Sequence, residues 1–150
     1  MDNTVKATAS EILQQIIRTS LEKFKMISEQ DWNYKPLPHK WSKKEILGHL
    51  CDSAMNNIRR LVVSQYEENN KIVYQQDNWV TSQDYQSENF QNIILFWKLL
   101  NEQVVRIINK IPHEKLSNTC ITSEKHTIKW LIEDYIVHLN HHLNQIIIHD

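Results

Sequence analysis

The sequence predicts an all-α fold, a four-helix bundle with a long crossover between its second and third helices. Apolar residues recur at spacings of three and four in four separate stretches, the pattern that paints one face of a helix. Only one glycine and three prolines occur in 150 residues, too few turn formers for a fold of many short strands. Between the second and third stripes, from Asn70 to about Val80, no helical pattern is visible. Amphipathic helices of this kind have nowhere to put their stripes except against each other.

The first stripe, Ile12, Leu13, Ile16, Ile17, Leu21 and Phe24, predicts a helix from about residue 4 to 29. Asp31 to His39 holds Pro36 and Pro38, which remove backbone donors and disfavour helix before them, so this stretch reads as a loop. The second helix starts at a capping box, Ser42-Lys43-Lys44-Glu45, with Trp41 and Ile46 placed as a hydrophobic staple. Its stripe continues through Leu50, Ala54, Ile58, Leu61 and Val62 to about Asn69. In the long connection Tyr74 and Trp79 read as anchors packing it down, with a cover over the site or a dimer contact as the alternatives. The third helix carries Phe90, Ile93, Ile94, Trp97, Leu100, Val104, Ile107 and Ile111 and closes at Pro112. After a polar loop, Thr127 caps the fourth, striped by Ile128, Leu131, Ile132, Tyr135, Ile136, Leu139, Leu143 and Ile146. Trp97 and Trp130 read as packing residues.

The length fits one domain over residues 1–150. A net charge of −1 gives no basic excess to attract a phosphate backbone, which argues against nucleic acid as a partner. Cys51 and Cys120 form no CxxC pair and read as intracellular thiols. The N-terminus shows no secretory pattern and no stretch reaches the roughly 18 apolar residues of a membrane span, so the expected location is the cytoplasm.

Eight histidines are present, and three stand out. At about 100° per residue, His138 and His142 share one face of the last helix, His142 inside its apolar stripe and His138 at the edge, while His141 points away. His49 lies beside the stripe of the second helix, where Ser53, Asn56, Asn57 and Arg60 recur at helical spacing. A polar strip next to a core face is costly unless it lines a wet cavity or binds something. Three neutral imidazoles suit zinc, nickel or another borderline divalent ion and leave a coordination position for water or substrate. Histidine ligands usually donate their second nitrogen to an acceptor, and Asp52 and Asp134 are placed for that role. No HExxH, di-iron ExxH, GxSxG, P-loop or dinucleotide fingerprint occurs.

The stretch Trp41-Ser42, Glu45-Ile46-Leu47-Gly48-His49-Leu50, Asp52-Ser53-Ala54, Asn57 and Arg60 resembles the second helix of the DinB/YfiT-like family. Tyr74, Asp77 and Trp79-Val80 in the connection, and Asp134-Tyr135, His138 and His141-His142 in the last helix, extend the resemblance over essentially the whole chain. It implies a four-helix bundle with a histidine triad at His49, His138 and His142, and a homodimer. It also implies metal-dependent chemistry, either hydrolysis or transfer of a low-molecular-weight thiol such as bacillithiol.

The reading placed first is therefore a divalent-metal-dependent enzyme that transfers a low-molecular-weight thiol to an electrophilic small-molecule substrate. Arg60 and Asn57 are its expected site residues beside Ser53, with Arg60 gripping a substrate carboxylate. The alternatives are a metal-dependent hydrolase acting through an activated water, and a non-enzymatic helical stress-response or interaction protein.

Overall fold

The structure, a computed structural model, describes residues 2–147, with side chains from residue 5 onward; of the histidines only His149 lies outside this range. Four long helices form the bundle: α1 (Asp2–Phe24), α3 (Lys43–Val63), α5 (Phe90–Lys110) and α6 (Ile128–Ile147). Two short ones, α2 (Glu29–Asn33) and α4 (Gln76–Gln83), lie in the connections. Around the bundle, α1 and α3 each pack against both α5 and α6.

Side-chain bonds between helices give their directions. The Lys6 ammonium near the start of α1 donates to the carbonyl of Ile111 just past the end of α5, so these two run antiparallel. Lys44 in the first turn of α3 donates to the carbonyl of Glu88 just before α5, and Cys51 of α3 reaches Ile93 of α5, so α3 and α5 run parallel. His49 of α3 meets His138 of α6, and Lys43 donates to the carbonyl of Ile146 at the end of α6, which makes that pair antiparallel. The order is up, down, down, up. A helix of 21 residues is about 31 Å long, so the chain between α3 and α5 must return the length of the bundle. This is the expected crossover.

That connection is more structured than its sequence predicts. The second predicted helix ends at Val63 rather than Asn69, and Asn69 takes a left-handed conformation with φ 58°, tolerable for asparagine. Asn70–Lys71 forms strand β1, pairing in parallel with β2 (Thr119–Ile121), which pairs antiparallel with β3 (Lys125–Thr127). The polar loop before the last helix is therefore a hairpin, and β3 runs straight into α6, where the Thr127 hydroxyl accepts from the amide of Trp130 as expected. From Gln76 the crossover turns helical as α4, which stops at Asp84 in a second left-handed conformation.

The predicted first helix stops at Phe24, and the stretch expected to be loop begins with α2, capped by Ser28. Its Trp32 is fully buried, edge-on to Phe24 and stacked on Phe90, while Phe24 also meets Trp97 edge to face. This aromatic plug explains why so short a helix persists. Trp97 packs in the core as expected, but Trp130 is 40% exposed and lies flat on His126 at 3.4 Å, a surface stack rather than a core contact. One buried polar pin crosses the bundle: the Tyr135 hydroxyl donates to Asn101 Oδ1, whose amide donates to the Trp97 carbonyl. Both cysteines are buried and free. No helix among the described residues is long and apolar enough to cross a membrane.

Candidate metal centre

Helix α3 carries His49 into the interior because the Ser42–Glu45 capping box fixes where the helix starts and hence which side faces α6. His49 is fully buried, and His138 and His142 reach it from successive turns of α6. The three rings pack edge to face, with centroids 5.1 Å apart for His49–His138, 4.7 Å for His49–His142 and 4.6 Å for His138–His142. One ring nitrogen from each lies within 4.8 Å of the others, and the Nε2 atoms of His49 and His138 are 3.3 Å apart. His142 Nδ1 contacts Gln145 Oε1 at 2.8 Å. A proton on that nitrogen would be accepted by the carboxamide oxygen and would leave Nε2 with its lone pair.

Burial holds all three rings neutral. It pushes His49 down to about 3, with the neighbouring histidines adding to the effect, and His138 down to about 4 for the same reasons. His142 is also lowered by burial. At neutral pH the cluster therefore presents unprotonated nitrogens to one small volume. His141 is exposed and outside the cluster, its ring 5.0 Å from that of His142, as its position on the helix requires.

Asp52, Ser53, Asn56 and Asn57 of α3 are also buried and Arg60 is half-buried, with bonds that helical spacing does not reveal. Asp52 does not bond His49. Its Oδ1 accepts from the Tyr85 hydroxyl at 2.7 Å and from Gln83 Nε2 at 3.0 Å, while Oδ2 of Asp52 and Nδ1 of His49 have no partner among the described residues. Asp134 is exposed and contributes its charge to the surroundings of Arg60. Asn57 donates back to the carbonyl of Ser53, and Asn56 to that of Asp52. Arg60 places two nitrogens on the carbonyl of Ile72, at 3.1 and 2.9 Å, and lies over the Tyr74 ring. Tyr74 is edge-on to Trp79, the anchoring role read from the sequence. The polar strip is thus roofed by the crossover, with Arg60 as the strap.

Open space lies beside the triad. A cleft of about 640 Å³ runs between the loop over residues 35–41, the start of α3, and α4, with Pro36, Pro38, Trp41, Gln76, Asp77 and Gln145 in its walls. Two of these touch the cluster: the Trp41 ring is 5.0 Å from that of His49, and Gln145 holds His142. Sequence reasoning missed Gln145, Gln83 and Tyr85. Gln145 stands one turn beyond His142 and had a readable signal; the other two lie in the crossover, whose path was not legible.

A family model described as the DinB superfamily matches residues 12–146 of the chain. The protein belongs to the DinB superfamily. Among solved structures it is similar to YfiT from Bacillus subtilis, at 17% identity and a TM-score of 0.84 over 94% of this chain and 83% of that one. YfiT is described as a probable metal-dependent hydrolase with an unusual four-helix bundle topology. The likeness shows that this DinB member has the YfiT fold. No curated protein matches the chain.

Proposed function

We propose that the protein is a metal-dependent enzyme whose divalent ion is held by His49, His138 and His142. The observation that carries this reading is the 3.3 Å separation of the Nε2 atoms of buried His49 and half-buried His138, both neutral. Two nitrogens each about 2.05 Å from a tetrahedral ion stand about 3.3 Å apart, so the pair already has the bite of a zinc site. His142, with Nδ1 committed to Gln145, supplies the third lone pair. Three imidazoles and no carboxylate or thiolate favour zinc or nickel over magnesium or calcium.

A divalent ion in this triad supplies Lewis-acid activation, lowering the pKa of a water or a thiol toward neutrality. The protein's part is to hold the imidazoles neutral, to fix the His142 tautomer through Gln145, and to admit a small molecule along the cleft past Trp41. Asn57 and Arg60 shape the α3 side of the site, Arg60 by strapping the crossover down over Tyr74. The description of YfiT supports hydrolysis. The sequence's resemblance to the DinB/YfiT-like family, which implies either hydrolysis or thiol transfer, also supports transfer of a low-molecular-weight thiol, and the two differ only in the nucleophile.

Metal content measured by mass spectrometry on untagged protein tests the reading. The expected result is about one zinc or nickel per chain, lost in His49→Ala, His138→Ala and His142→Ala and kept in His141→Ala. No metal after reconstitution would overturn it. Turnover of an electrophilic ester or halide with and without added thiol then separates the nucleophiles, since thiol transfer requires the thiol and hydrolysis does not.

A further inference from the structure

Two buried polar atoms on one face of α3 lack partners among the described residues: His49 Nδ1 and Asp52 Oδ2. Both side chains are fully buried. Buried polar atoms are rarely left unpaired, and each such case calls for an explanation. The two residues stand three apart on a helix, where side chains are neighbours with Cβ atoms about 5–6 Å apart. One buried water typically takes about three hydrogen-bond partners, enough to serve both atoms.

We propose that Asp52 is the positioning residue of His49, accepting the Nδ1 proton of that imidazole on Oδ2 through one buried water. The parts are complementary. His49 turns Nε2 toward the Nε2 of His138, and a proton held on Nδ1 by Asp52 leaves that Nε2 with its lone pair. Asp52 is held in one pose because its other oxygen takes both the Tyr85 hydroxyl and the Gln83 amide. Tyr85 is fixed in turn by its close approach to α3, where a Cβ on Gly48 would lie 2.2 Å from its ring. The crossover therefore sets the Asp52 carboxyl, and Asp52 sets the tautomer and ring orientation of His49. This assignment rests on the metal reading for its purpose but not for its test.

The first readout uses metal-free wild type. Long-range nitrogen NMR is expected to find the His49 proton on Nδ1, and a proton resident on Nε2 would overturn the proposal. Asp52→Asn, which keeps the shape but replaces one acceptor oxygen by a donor, is expected to mix the two His49 tautomers. It should also weaken zinc binding, measured by chelator competition, about 10- to 100-fold. If Asp52 only ties the crossover to α3, Asp52→Asn lowers the Tm while tautomer and zinc affinity stay at wild-type values, and the proposal falls. Tyr85→Phe keeps the ring on Gly48 and removes one donor to Asp52; it is expected to shift the tautomer balance in the same direction by less, and carries the comparison if Asp52→Asn does not fold. Wild type that binds no zinc would sink the metal reading alone, with the tautomer comparison still deciding the role of Asp52.

Discussion

At the scale of single residues, the histidine cluster trades stability for a ready set of lone pairs. An unfolded histidine takes up a proton near pH 6.5, whereas His49 in the folded protein waits until about 3 and His138 until about 4. Between those limits the unfolded state binds more protons, so stability is intact above pH 6.5 and falls as pH drops toward 4. Each histidine costs up to about 1.4 kcal/mol per pH unit in that window. Urea unfolding of the metal-free protein is expected to give a stability about 2–4 kcal/mol lower at pH 5 than at pH 7, with the loss largely absent in a His49→Gln, His138→Gln double variant. Equal losses in both proteins would show that the acid sensitivity lies elsewhere. The triad was legible because helical spacing alone puts His138 and His142 on one face and His141 off it. The bonds of Asp52 were not legible, since its partners Gln83 and Tyr85 arrive from 31 and 33 residues away along a path that no stripe marks.

At the scale of elements, what the sequence revealed and what it hid follow from where each element gets its stability. The four long helices bury continuous apolar stripes, and periodicity reads them. Helix α2 rests on one residue, Trp32, and α4 buries only Val80, so neither has a stripe to read. The hairpin before α6 is held by pairing with β1, a contact across some fifty residues. Gly48 is an element-scale signal that periodicity ignores. In an exposed helix interior, glycine to alanine gains about 0.5–1 kcal/mol, but here the added Cβ would meet the face of the Tyr85 ring at 2.2 Å. That contact must force the crossover away from α3. Gly48→Ala is expected to destabilise the protein by about 1–3 kcal/mol, the range for overpacking a well-filled core. In a Tyr85→Ala background the same substitution should be neutral or stabilising, a sign change that a double-mutant cycle of unfolding free energies would register. A loss of the same size in both backgrounds would show that the constraint on Gly48 is not Tyr85.

At the scale of the whole molecule, the up-down-down-up order explains why the site lies where it does. Because α3 and α5 run parallel, the chain between them must cross back over the bundle, and that crossing passes over the polar strip of α3 and walls the cleft beside the triad. The same order makes α6 the antiparallel neighbour of α3, so His49 meets residues 89 and more positions later in the chain. An ion held there joins the second and last long helices and stabilises the folded state by mass action. With free zinc at 100 times its dissociation constant the gain is about 2.7 kcal/mol, which for a chain of this size raises the Tm by about 5–10 °C. Differential scanning calorimetry at neutral pH should show this rise, growing with zinc concentration and absent in His142→Ala. Hydrogen exchange should slow on both α3 and α6, because the ion closes the contact from both sides. A zinc-dependent rise that persists in His142→Ala would place the ion at another site, and protection confined to α6 would mean that His49 takes no part in holding it.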